Sequence, residues 1–291
     1  MASAEVRQIR RRIKSVQSTM KITRAMELIA TSRIAKARVR VAQSQPYTDK
    51  MNEVIRNLGA GSAGLSHPLL QRREVVAAGI VVVSSDRGLA GGYNSNVIRM
   101  AEHRINDLRN SGKQIRLFTV GEKAKAYFAY RNFEIEQAWL GVTDTPGYGD
   151  ARMVGNSLLE AYESELVDSV EVFTTRYVSA LTQKPVLWPV LPIEPPEVTE
   201  DDIAVGYTFE PSPEAILARL LPRYLEGTVF GILLEASASE HAARRRAMKA
   251  ATENAEELVR LLTREANQAR QAEITTEISE IVGGAEALSA G

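Results

Sequence analysis

The chain has 291 residues, with 36 lysines and arginines against 36 aspartates and glutamates, 44% hydrophobic residues and no cysteine. Its length supplies apolar material for one large domain or two modest ones. The absence of cysteine excludes disulfides, thiolate metal sites, cysteine nucleophiles and thiol switches, and zero net charge provides no global attraction to nucleic acid.

No window reaches the roughly 18 uninterrupted apolar residues of a membrane span, and the start MASAEVRQIRRR lacks an apolar signal core. That arginine-rich start is read as the opening of an ordered helix rather than as a transit peptide. The charge is unevenly spread. From Met1 to Leu58 thirteen lysines and arginines face four acids, whereas from Glu235 to the end ten glutamates face seven basic residues.

The first 45 residues contain neither proline nor glycine, and Val6, Ile9, Ile13, Val16 and Met20 step by threes and fours. This spacing predicts a coiled-coil helix roughly 65 Å long, ended by Pro46 and followed by the small-residue loop GAGSAG at Gly59 to Gly64. Val75 to Ser85 (VVAAGIVVVSS) then reads as a strand covered on both faces. A helix ending near Gly112, a strand QIRLFTV, a helix GEKAKAYFAYRNF, a strand EIEQAW, a helix ARMVGNSLLEAYESEL and a strand SVEVFTTRYV follow. Alternation of this kind predicts an α/β domain of mainly parallel sheet.

Seven prolines between Lys184 and Pro213 predict a stiff, non-helical return path. Ser212-Pro213-Glu214 is a helix start with serine as N-cap, and Pro222 is expected to kink or restart that helix. Between Gly231 and Gly283 lie 51 residues without proline or glycine, about 77 Å of helix. Ala251, Ala255, Leu258, Leu262 and then Ile274, Ile278, Ile281, Ala285 and Leu288 form its stripe. A lone helix with so narrow a stripe is marginal in water, so the two terminal helices are expected to cover each other, antiparallel, with the α/β domain inserted between them. The expected divisions are 1–58 for the N-terminal helix, 59–74 for a linker, 75–208 for the α/β domain and 209–291 for the C-terminal helix.

No catalytic constellation emerges. The glycine-rich SSDRGLAGGYNSN, Ser84 to Asn96, joins a strand to a helix but has neither GxxxxGK[ST] nor GxGxxG spacing, and favours a structural turn or docking loop over a phosphate site. His67, His103 and His241 show no metal-ligand spacing and read as packing or surface residues. Arg10-Arg11-Arg12 and Arg244-Arg245-Arg246 lack neighbouring aromatics and read as solvated or protein-facing charge. A Rossmann-like nucleotide-binding enzyme and a coiled-coil nucleic-acid-binding protein stay open as alternatives. More informative are the seam interruptions, at Thr23, Arg24 and Glu27 and again at Arg270, Gln271 and Glu273. Hydrogen-bonding groups in a seam cost stability unless they meet something else, although a tolerated stutter would look the same.

Ile13 to Arg38 (IKSVQSTMKITRAMELIATSRIAKAR) closely resembles the N-terminal signature of the gamma subunits of F-type ATP synthases. Ser239 to Leu258, followed by ARQAEITTEISEIVGGAEAL (Ala269 to Leu288), resembles their C-terminal signature, and SSDRGLAGGYNSN is similar to their mid-chain motif. The likeness runs end to end in matching order. It implies a central rotor shaft of the F1 sector, on the cytoplasmic face of a bacterial membrane. An antiparallel coil of the terminal helices would turn inside a ring of three alpha and three beta subunits, with the α/β domain near the epsilon subunit and the membrane c-ring. It implies no bound nucleotide, cofactor or metal, and no catalytic residue in the chain itself.

Matched by motif, Lys21, Arg24, Met26 and Arg33 on the N-terminal helix, and Arg270, Gln271, Thr275 and Glu277 on the C-terminal one, are the implied contacts with the ring. The isoleucine stripe from Ile274 onward would be covered partly by the N-terminal helix and, at its tip, by the ring. There are departures from the family pattern. Ala90 stands where the family often has cysteine, a regulatory dithiol insertion is missing, and Glu265-Ala266 replaces an aromatic-containing pair. Asp144 to Arg152 is assigned no role.

Overall fold

The structure, a computed structural model, describes residues 4–61, 67–194 and 212–289. Part of the expected GAGSAG loop, and Pro195, Pro196 and Pro211 of the proline-rich path, lie outside the described residues, as does the side chain of Leu288. The chain forms two compact units, one of Met1–Ile29 with Arg245–Gly291 and one of Ala30–Arg244.

The second unit is built on a five-stranded sheet: β1 (Ala77–Val83), β2 (Gln114–Val120), β3 (Ile135–Trp139), β4 (Ser169–Tyr177) and β5 (Gln183–Leu191), in the spatial order β3-β2-β1-β4-β5. The first four are parallel and β5 runs antiparallel to β4. All seven residues of β1 are buried, as its unbroken apolar run requires of a central strand.

β5 corrects the expected return path. Pro185 and Pro189 cannot donate to a ladder, but an edge strand has one side with no neighbour to serve, so QKPVLWPVL pairs with β4 from Val170 to Tyr177 despite them.

Helices α2 (Tyr93–Asn110) and α3 (Glu122–Tyr130) cover one face through Val97, Ile105, Ala124 and Phe128, packed on Ile80, Val82, Leu117 and Phe173. The other face, with Val81, Phe118 and Val172, meets α4 (Tyr148–Glu163) and segments of the two long helices α1 (Ala4–Gly61) and α5 (Pro213–Ser289). Gly121 closes β2 onto the β1 end at φ +93°, where a Cβ would lie 2.4 Å from the Ser84 carbonyl oxygen. Only glycine fits that approach.

Both long helices pass the prolines expected to end or break them. Pro46 removes one backbone hydrogen bond and crowds the preceding turn, a cost of about 3 kcal/mol. Beyond it, however, Met51 and Ile55 enter the core, and their burial offsets that cost. Pro222 sits likewise between Leu217, Leu221 and Leu225, all buried at helical spacing. Ser212 caps α5 as expected, its hydroxyl accepting from the Ala215 amide at 3.3 Å.

In the first unit, the stretches 4–29 of α1 and 245–289 of α5 run antiparallel. Thr23 meets Thr252, while Glu5 and Ile9 line a trough with Glu265, Ala269, Glu273 and Thr276. Val6, Ile9, Ile13, Val16 and Met20 line the α1 side of the seam as expected. The α5 side keeps Ala255 and Leu262 of the expected stripe but takes Thr252 and Val259 in place of Ala251 and Leu258, so that Met248, Thr252, Ala255, Val259, Leu262, Ala266, Ala269 and Glu273 step by fours and threes.

Candidate functional site

The first seam interruption is a change of residue type and not of spacing. Thr23 continues the 3-4 stepping from Met20 and is buried, with its hydroxyl 2.8 Å from that of Thr252. Each hydroxyl also lies near its own helix's backbone, Thr23 at 3.0 Å from the Met20 carbonyl and Thr252 at 2.9 Å from that of Met248. The polar seam group is therefore satisfied across the coil, without an outside partner. Thr252 went unnoticed in the sequence, although the steps 248, 252, 255 and 259 carry its signal.

Lys21 and Arg24 point to solvent on either side of this pair, Met26 is half-buried, and the Arg24 guanidinium lies 3.9 Å from Glu27. The second interruption is different. Arg270, Gln271, Thr275 and Glu277 are all exposed, and the Thr275 hydroxyl bonds back to the Gln271 carbonyl at 2.9 Å. With Thr23 opposite Thr252, Ala4 falls opposite about residue 271, and Glu5 and Ile9 still line a trough with Thr276, Glu277 and Glu280.

Ile274, Ile278 and Ile281 are 43%, 56% and 71% exposed. Ile274, the least exposed of the three, follows Glu273, which shares that trough with Glu5 and Ile9. The candidate residues thus form two girdles rather than one surface. Arg270 lies eighteen positions beyond Thr252 on α5, a distance of about 27 Å along the helix.

Arg33 belongs to neither girdle. It lies in the second unit, ion-paired with Asp144 in the connection between β3 and α4. Burial, the largest influence on the Asp144 carboxyl, pushes its pKa up. The hydrogen bond and charge of Arg33, joined by His241 and Arg87, outweigh burial and hold it below the usual carboxylate range.

The Asp144 main-chain carbonyl accepts from Ser237 Oγ at 3.0 Å and from His241 Nε2 at 3.1 Å. Donation through Nε2 makes Nδ1 the bare nitrogen, and burial lowers the pKa of His241. One turn further along α5, Arg244 pairs with Glu240 at 2.7 Å and donates to the carbonyls of Arg87 and Gly88 at 3.3 and 3.2 Å.

Those two carbonyls belong to the glycine-rich loop. A phosphate site needs amides aimed at the ligand, whereas this loop offers oxygens to a guanidinium, which favours the docking-loop reading. Asp86 fixes the loop from the other side, accepting from the amides of Glu122, Gly141 and Thr143 and from the Thr143 hydroxyl. Asp144, Glu240 and His241 place potential ligand atoms within 4.8 Å of one another. Arg33 and Arg244 already neutralise the two carboxylates, so a cation there would have to displace both guanidiniums, that of Arg244 a buried one.

The model of the ATP synthase family matches residues 5–288. The ATP synthase gamma chain of Saccharopolyspora erythraea is 48% identical over 98% of both chains, and that of Parafrankia sp. is 48% identical over 99% of both. Among solved structures, a chain of the Euglena gracilis mitochondrial ATP synthase superposes with a TM-score of 0.71 at 19% identity, covering 99% of this chain and 95% of that one. A chain of the Tetrahymena thermophila mitochondrial ATP synthase, from a central stalk and c-ring assembly, gives 0.58 at 20% identity, covering 79% and 99%. At those identities the likeness is one of fold. The full-length match to the family and the identities near one half decide the matter: the chain belongs to the ATP synthase family, among its bacterial F-type gamma chains.

Proposed function

We propose that this chain is the central rotor shaft of the F1 sector, transmitting torque between the membrane c-ring and a hexamer of alternating alpha and beta subunits, and that it catalyses nothing itself. The observation that carries the reading is the end of α5. There the helix presents Ile274, Ile278 and Ile281 to solvent, an arrangement that is costly unless a sleeve surrounds it. Full-length kinship to ATP synthase gamma chains supports a ring of the other subunits as that sleeve.

In this reading Arg270, Gln271, Thr275 and Glu277 grip the ring at the upper girdle, and Lys21, Arg24 and Met26 meet the beta subunits at the lower one. One asymmetric shaft offers each of three equivalent partners a different set of contacts, and that difference in contact energy is what couples rotation to nucleotide state. Among the described residues no helix is long and apolar enough to cross a membrane. In this reading the shaft is a peripheral element on the cytoplasmic face that meets the epsilon subunit and the c-ring through its α/β unit.

Co-expression with alpha and beta subunits tests this. The chain is expected to co-purify at one copy per three of each, and deletion of residues 273–291 is expected to leave the complex assembled but reduce coupling and ATP turnover. Recovery of three copies per complex would overturn the reading.

A further inference from the structure

We propose that Asp144 is a positioning residue for rotary coupling, the centre of a bracket that locks α1 and α5 to the loops at the carboxyl end of the sheet. The proposal rests on the rotor reading and lies wholly within the Ala30–Arg244 unit.

The connection of residues 141–147 holds each long helix at two points. On α1 the Asp144 carboxylate takes Arg33, and the Pro146 carbonyl takes Arg40, two helical turns away. On α5 the Asp144 carbonyl takes Ser237 and His241, one turn apart. Thr143, next in the chain, exchanges hydrogen bonds with Asp86: its hydroxyl accepts from the Asp86 amide at 3.1 Å and donates to the carboxylate at 2.9 Å. Asp86 in turn anchors the β1–α2 loop, whose carbonyls Arg244 grips from α5.

A helix held at one point can swivel about it, whereas two holds a turn or more apart block both rolling and sliding. The apolar contacts of the same stretch could not do this alone. On α1 they come from Ala30, Ile34 and Ala37, small or smooth groups whose burial is non-directional and tolerates a shift of register. Hydrogen bonds fail within a few tenths of an ångström or tens of degrees, and Ser237, Glu240 and His241 are at most 3% exposed, so water cannot replace a broken one cheaply. A twist applied to the α/β unit therefore reaches both helices together. Arg33 is thereby an internal strut of the shaft rather than a ring contact.

The test uses the assembled, membrane-bound complex. Asp144→Ala is expected to assemble at wild-type stoichiometry and hydrolyse ATP, while protons pumped per ATP fall about fivefold, the low end of a coupling free energy. The swapped pair Arg33→Asp with Asp144→Arg is expected to restore the ratio. A wild-type ratio in Asp144→Ala, or a loss that the swap leaves unrepaired, overturns the bracket.

Should Asp144→Ala fail to assemble, Arg40→Gln is judged by the pumping ratio alone, a fall supporting the bracket and a wild-type value overturning it. Failure of the wild-type chain to join alpha and beta subunits would instead defeat the rotor reading.

Discussion

The two compact units use the same long helices in opposite ways. In the α/β unit, α1 and α5 are flanked by a sheet, and large side chains such as Phe118, Leu158 and Tyr162 fill the space between layers with less than 2% exposure. In the coiled-coil unit the seam is narrow, its buried members including Ala255, Ala266 and the Thr23–Thr252 pair. Bulk burial stabilises the α/β unit, while register and shape define the coiled-coil unit.

Substitutions can break or sharpen the contrast. The largest effect is expected from Phe118→Ala, which empties a site stacked on Trp139 at 6.2 Å between centroids. A loss of about 3–5 kcal/mol is expected in denaturant unfolding of the full chain. In the coil, Thr252→Val removes the hydroxyl that Thr23 meets across the seam and is expected to cost about 1 kcal/mol. The double variant Thr23→Val with Thr252→Val is expected to return to wild-type stability or above it, because neither side then leaves a polar group behind. A double variant weaker than either single one would mean that the pair does more than satisfy itself.

A smaller effect concerns pH. His241 has its pKa lowered by burial from an ordinary 6.5, so as pH falls below that value the unfolded chain takes up a proton first, and stability drops until the folded group also titrates. Glu240, raised by burial despite Arg244, acts the other way, since its folded form protonates first and stability rises as pH falls through its raised value. His241→Gln keeps a neutral donor toward Asp144 and is expected to remove the His241 loss, giving a flatter Tm profile between pH 7 and 5. The smallest effect is expected from Arg270→Ala and Gln271→Ala. Both residues are exposed, so the chain's own stability should move by no more than about 0.5 kcal/mol, while ATP turnover of the complex falls.

Much of this was legible from residue patterns. The all-buried β1, the alternating strands and helices and the 3-4 stepping of Val6 to Met20 each carry a period that side chains alone reveal. β5 was hidden because Pro185 and Pro189 forbid a central strand but not an edge. The passage of α1 through Pro46 and of α5 through Pro222 was hidden because packing at Met51, Ile55 and Leu225 overrides local preference.

The candidate contacts were found through their motifs, yet their division into two girdles depends on the register of the coil, which the Thr pair reveals and no single helix encodes. Asp144 escaped notice for a simpler reason. Half of its role is played by a main-chain carbonyl, and main-chain atoms leave no mark in a sequence.

The central claim is that this chain turns. It contains no cysteine, and Tyr130, at the end of α3, is 86% exposed, so Tyr130→Cys gives one labelling point on the α/β unit. With the alpha and beta subunits fixed to a surface and a bead on that cysteine, ATP is expected to drive continuous rotation in one direction. A bead that stays still while the same complexes hydrolyse ATP would contradict the account.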